Sequence, residues 1–320
     1  MASLNLSVFL RDTALDCSRK YRLITSRCLG ENKKMNAKEL YKKLEADFEL
    51  RKCRDDWDNI DFNADFVTEN FRKRYMGVLV DNTNEINKVY TAVFPSEKVM
   101  REILERNEKD ILLFTHHPID WKIREGQSPF VNLNTDLLQK FKKNRISIYT
   151  LHTPLDRNGE YSTSVNFMKA LDMEQEGEFA EYFGFLSGVV GRTDCKNISE
   201  MAEKFEKTIG HKVKIWNYGE NEIKDGKVAL VAGGGNDPEI LSEVAKLGIN
   251  TFLTGVTYPN PDYEPSVQAH KVAKENKIDM IGGTHYSTEK FACIKAIDYF
   301  EKFGVQSEFL EDDPDMGDLG

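Results

Sequence analysis

The stretch Ile111-Leu112-Leu113-Phe114-Thr115-His116-His117-Pro118 decides how this chain reads. Its apolar run predicts a strand buried on both faces, and Pro118, which has no N–H to donate, predicts where the ladder stops. Both histidines then fall at the carboxyl end of a buried strand, the end at which open α/β sheets bind ligands. Adjacent side chains on a regular strand point to opposite faces, so two imidazoles reach one object only if the chain turns or the object exceeds a single atom. A pair of metal ions meets that condition. The competing reading is a polar strand end whose histidines are solvated or bonded to backbone.

Outward from this stretch the chain repeats a pattern. The first unit predicts a strand over Lys88–Phe94, a helix from Ser96 to about Asn107, the strand ending at His116 and His117, a helix over about Thr135–Lys143, and a strand over Ile146–Leu151 that closes on His152-Thr153-Pro154-Leu155-Asp156. The second predicts a strand over Val228–Ala232, the run Gly233-Gly234-Gly235, a helix opening at Asp237-Pro238 and closing at Gly248, a strand over Thr251–Gly255, a helix over about Glu264–Asn276, and a strand over Ile278–Ile281. It closes on Gly282-Gly283-Thr284-His285, with Glu289 to follow. Asp as N-cap, Pro at the first helical position and Gly past the end are each expected where they fall. Both units read β-α-β-α-β, and both end on a histidine with a carboxylate four residues later.

The fold class predicted is therefore α/β: internally duplicated α/β/α units with mixed sheets, packed about a pseudo-two-fold axis. Such packing would bring His152 with Asp156, and His285 with Glu289, into one cleft with His116 and His117. Nitrogen and oxygen donors of this kind suit zinc or a first-row transition metal, and the lack of thiolates disfavours Cu(I) and iron–sulfur clusters. The donor count fits two divalent ions with positions left for water. Each piece has a plainer explanation. His285 and Glu289 can be a surface pair on a helix, Asp156 a turn residue, and His152 an orienting neighbour rather than a ligand. The glycine run can cradle a phosphate or simply make a tight strand-to-helix turn. His211 and His270 are assigned to the surface. Four of the six histidines fall at three strand ends of a doubled unit, a sorting that surface histidines would not show.

The rest of the chain divides around these units: a flexible N-terminal extension over 1–34, the first unit over 35–171, a connector over 172–227, the second unit over 228–311 and a disordered acidic tail over 312–320. The first unit opens with an amphipathic helix from Asn36 to Phe48. After it, Asp55-Asp56-Trp57-Asp58-Asn59 reads as a polar turn pinned by a buried indole. The connector carries a helix around Ile198–Ile209 and a short strand over Lys212–Trp216. A formal charge of −9 over 320 residues, with no basic stripe, argues against a nucleic-acid partner. No apolar run approaches a membrane span, and five scattered cysteines without C-x-x-C spacing fit reduced thiols in the cytoplasm.

Taken in order, Trp57-Asp58-Asn59, Thr115-His116-His117-Pro118, His152-Thr153-Pro154-Leu155-Asp156, Gly233-Gly234-Gly235, Thr254-Gly255 and His285 through Glu289 resemble the dinuclear-metal-centre hexameric family called Nif-three-like, often labelled type 2 GTP cyclohydrolase I homologues. The resemblance runs from about Met35 to Asp312. It implies a doubled α/β fold, a toroidal homohexamer, and five metal ligands: His116, His117, Asp156, His285 and Glu289. His152 then stays outside the ligand set, as a catalytic neighbour able to shuttle protons. The chain departs from the family pattern at Val256, where an acid is usual, and at Thr284 and Asp61, where glycine is usual. The ligands are untouched by these changes; a shared substrate is not assured by them. The expected function is metal-dependent hydrolysis, a hydroxide held by two divalent ions (Zn, Fe, Mn or Co) attacking a small-molecule substrate such as a nucleotide or a cyclic amide or imine. The alternative is a non-catalytic hexameric scaffold that stores or delivers metal or serves in regulation; a third reading is a structural α/β protein with solvated histidines.

Overall fold

The structure is a computed structural model that describes residues 34–57, 62, 65–123 and 128–320. The predicted N-terminal extension, Lys34 apart, lies outside the described residues, as do Asp58, Asn59 and Asp61. Strand β1 (Met35–Asn36) leads into α1 (Ala37–Asp47), where Asn36 caps the helix by accepting from Glu39 N and Leu40, Tyr41 and Leu44 turn inward at helical spacing. Then come α2 (Glu69–Arg74), β2 (Gly77–Val80), β3 (Glu85–Ile86), β4 (Lys88–Ala92) and α3 (Glu97–Glu105), which Ser96 caps through Val99 N. The first half continues through β5 (Ile111–Thr115), the small pair β6 (Asp120–Trp121) and β7 (Phe130–Val131), α4 (Thr135–Asn144), β8 (Ile146–Thr150), the single turn α5 (Thr153–Asp156) and α6 (Thr163–Ala170). The second half holds β9 (Glu174–Tyr182), β10 (Phe185–Arg192), α7 (Ile198–Ile209), β11 (Lys214–Trp216), β12 (Lys227–Val231), α8 (Pro238–Lys246), β13 (Thr251–Thr254), α9 (Glu264–Glu275), β14 (Asp279–Gly282), α10 (His285–Glu301) and β15 (Gln306–Phe309).

Two mixed sheets organise these elements, a five-stranded one in the order β15-β4-β5-β8-β2 and a six-stranded one in the order β11-β14-β13-β12-β10-β9. Strands β4, β5 and β8 are parallel, as are β12, β13 and β14, so both expected β-α-β-α-β runs are present. The apolar run of β5 serves two cores at once. Ile111 and Leu113 join one cluster with Tyr90, Ile148 and Phe141, while Leu112 and Phe114 join another with Tyr149, Leu40 and Phe300. A strand covered on both faces needs unbroken apolar residues, not alternation. Helix α10 lies between the two sheets: Ala296, Tyr299 and Phe300 pack into the first sheet's core, and Phe291 packs with Leu230, Leu253 and Ile281 of the second.

Three expectations differ from the structure. The segment 172–227 forms no piece of its own: β10 pairs with β12 and β11 with β14, covering both edges of the parallel trio, which unpaired N–H and C=O groups would otherwise leave open. Strand β15, read as part of the second unit, crosses back to lie parallel to β4 in the first sheet. The acidic tail is ordered, with a 3-10 turn over Met316–Leu319, because Asp318 is fully buried and its backbone carbonyl accepts from Thr257 N and Tyr258 N. Among the described residues no helix is long and apolar enough to cross a membrane.

Candidate metal centre

Past the end of β5 the chain stays tied to its neighbour, His116 N donating to Ala92 O and His117 N to Val93 O at 3.2 and 2.9 Å. The two rings nonetheless sit together, with centroids 4.4 Å apart. Strand β8, next to β5, runs out into His152 and, one turn later, Asp156. From the other sheet β14 hands over to α10, where Thr284 caps the helix by accepting from Ser287 N and the first turn carries His285 and Glu289. The His285 and His117 rings are 4.8 Å apart, so segments remote in the sequence meet. Thr284 has a local role, since its hydroxyl satisfies an open helix N–H in an extended backbone that suits any residue.

Glu289 is the hub. Its Oε1 lies 3.4 Å from His116 Nε2 and 3.2 Å from His285 Nε2, and its Oε2 lies 3.0 Å from His117 Nε2. Asp156 faces His116 Nε2 at 3.4 Å and His152 Nε2 at 3.7 Å. Three sets of donors lie within 4.8 Å of one another and can hold a metal ion: His116, Asp156 and Glu289; His117, His285 and Glu289; and His116, His117 and His152. One orphaned atom supports that chemistry. His116 Nδ1 donates to Leu151 O, and its buried Nε2, which faces Asp156 and Glu289, finds no hydrogen-bond partner among the described residues. Buried polar atoms rarely go unpaired, and a cation satisfies a nitrogen lone pair as a donor would.

The cluster's electrostatics run the same way. Burial works against charging His116, but the Glu289 and Asp156 carboxylates outweigh it and hold the imidazole well above its usual range, whereas burial drives His117 well below it. Burial alone would raise Glu289, yet His285, His116 and His117 together hold its carboxyl well below the ordinary value. Protons balance the carboxylates here, a charge that divalent ions can supply in their place.

Aromatic rings wall the cluster. Phe94 stacks on His117 at 4.6 Å, Trp121 meets His285 at 4.5 Å, and Trp57 meets His152 at 5.1 Å. Phe94, Trp121, Tyr286 and Asp318 also line a cavity of about 480 Å³. Asp318 ties that wall to the helix start, accepting from Trp121 Nε1 at 2.9 Å and His285 N at 2.8 Å. The glycine run is a packing device. Gly233, at φ +72°, lies where a Cβ would come 2.1 Å from Glu289 Oε1, and its carbonyl accepts from Gly255 N and Val256 N.

All six residues nominated at the strand ends come together, while His211 and His270 stay apart. Neither of these two is a free surface group. His270 is buried on the inner side of α9, bonded to Tyr218 OH and Thr257 O, and half-buried His211 bonds Ser287 Oγ at 2.7 Å. Sequence reasoning missed Asp55, Phe94, Trp121 and Asp318, none of which carries a local pattern that marks it.

A two-sheet α/β protein in which imidazoles and carboxylates form one buried cluster able to hold metal is the class that fold and site define. The chain belongs to the Duf34/NIF3 (NGG1p interacting factor 3) family, whose profile matches residues 35–315. A GTP cyclohydrolase 1 type 2 homolog of Borreliella burgdorferi is 28% identical over 268 residues, covering 83% of this chain and 94% of that protein. One of Pyrococcus horikoshii is 29% identical over 238 residues, covering 73% of this chain and 88% of that protein. Among solved structures, the structural-genomics protein ybgI, of unknown function, superposes with a TM-score of 0.67 at 18% identity, over 88% of this chain and 100% of that one. Reduced HcgD from Methanocaldococcus jannaschii gives 0.62 at 22% identity, over 88% and 100%. These two structures establish likeness of fold.

Proposed function

We propose that this protein is a dinuclear metal-dependent hydrolase, with His116, His117, Asp156, His285 and Glu289 as ligands of two divalent ions of the zinc, iron, manganese or cobalt kind. One observation carries the reading: the two oxygens of Glu289 lie 3.0 to 3.4 Å from three different imidazoles, a position that suits a carboxylate bridging two cations. Such ions, when bound, supply Lewis acidity, bringing the pKa of water to about 7 and polarising a carbonyl, imine or phosphoryl oxygen. Asp156 and Glu289 would neutralise cationic charge and the histidines would fix geometry, with Phe94 and Trp121 packed against the His117 and His285 rings. The relatives' name makes GTP, with cyclic amides and imines, the first substrates to try.

Metal content by mass spectrometry, with hydrolysis assayed on nucleotide, phosphoester and cyclic-amide panels, tests the proposal. His285→Ala is expected to lower bound metal and turnover together; turnover that survives loss of metal overturns the mechanism. The burial of His116 and Glu289 favours a second reading, a non-catalytic scaffold that stores or delivers ions. Stoichiometric metal without turnover on any panel decides for it. In either case we propose a cytoplasmic homohexamer, in keeping with the free thiols of Cys53, Cys195 and Cys293; light scattering of the purified chain measures the assembly.

A further inference from the structure

His152 stands outside the ligand set that the family resemblance implies, and its surroundings argue for more. Its Nδ1 lies 3.0 and 3.2 Å from the two oxygens of Asp55, whose side chain is only 2% exposed. An imidazole held this way donates through Nδ1 and keeps its Nε2 lone pair for something else. His116 has the same arrangement, with Leu151 O in the part of Asp55. Anchoring of one ring nitrogen on a carboxylate or carbonyl is how proteins orient metal-binding histidines. The free Nε2 of His152 points to Asp156, 3.7 Å away, and the ring sits 5.0 Å from that of His116, with Trp57 packed edge-on against it.

We infer that His152 is a sixth metal ligand and that Asp55 is its positioning residue. The inference rests on the metal-centre reading above. His152 shares a three-donor set with His116 and His117, and its Nε2 lies 3.7 Å from Asp156, so it would add a donor to the ion that His116 and Asp156 hold, while His117, His285 and Glu289 would hold the other. The two ions would then be inequivalent, with Asp55 acting on the first.

The test is a titration of the chelator-treated full chain with Co²⁺, followed by calorimetry and visible absorption, with no substrate present. The parent is expected to fill in two distinguishable steps. Asp55→Ala should weaken one step by about 10–100-fold, as loss of an outer anchor does. His152→Ala should weaken the same step at least as much and change that ion's absorption, while His285→Ala weakens the other step. Asp55→Asn, which keeps an acceptor for Nδ1, should restore most of the affinity; it and His152→Gln replace the alanine variants if those do not fold. Both steps and the spectrum unchanged in His152→Ala, with His116→Ala weakened, overturn the sixth ligand and leave the metal centre standing. A single filling step in the parent also overturns it. Binding indifferent to both His116→Ala and His152→Ala overturns the metal centre itself.

Discussion

Gly233 shows how little room a residue at this site has. Its backbone is in the left-handed region and its Cα faces the Glu289 carboxylate. A methyl group there meets two penalties, about 1–2 kcal/mol for the backbone conformation and the displacement of the carboxylate hub. Gly233→Ala is therefore expected to lower stability by more than the backbone term of about 1–2 kcal/mol in denaturant unfolding and to release bound metal, read by mass spectrometry. Metal retained in full would show that Glu289 needs no such cushion. Val256 contributes its backbone N–H to Gly233 O, an interaction blind to side-chain chemistry.

At the scale of the element, α10 is held at its start from outside the parallel trios. The tail brings Asp318 onto His285 N and the Trp121 indole, and burial pushes that carboxyl up to about 6 against the pull of His285. Asp318→Ala leaves two donors without their acceptor, at about 1–3 kcal/mol for each that stays buried. The expected result is a lower unfolding midpoint together with a shift in tryptophan emission as the Trp121 indole loosens. An unchanged spectrum and midpoint would show that the tail does not brace the helix.

For the molecule as a whole, the return of β15 to the first sheet closes the chain on itself. Glu308 on β15 lies 2.9 Å from Lys88 Nζ and 2.8 Å from Arg106 Nη1, near Tyr90 and Glu108, which bond each other. Burial alone would raise the Glu308 carboxyl, but Lys88 and Arg106 more than offset it and hold it below the ordinary value. A carboxyl depressed in the folded state stabilises fully above its unfolded pKa, about 4.3, and the contribution fades as pH falls through the lower folded value. The fall in stability on acidification should thus be shallower in Glu308→Gln than in the parent, and the gap between them should shrink in high salt because the group is partly exposed. Parallel acid-unfolding curves for the two proteins would remove this tie from the account.

Much of this was written locally. An apolar run ended by Pro118 makes a two-sided buried strand whatever lies around it, and Asp237 with Pro238 opens a helix by its own capping chemistry, so both parallel trios and the histidines at their ends were legible in the sequence. Nothing local distinguishes Asp55 from any turn aspartate or Asp318 from any residue of an acidic tail. Their partners, His152 and His285, lie 97 and 33 residues away. The sequence by itself determined which strands form and which donors sit at their ends, because periodicity and capping act within a few residues. Which carboxylate meets which imidazole was decided only by the packing of two sheets against α10, since that distance depends on where whole elements come to rest.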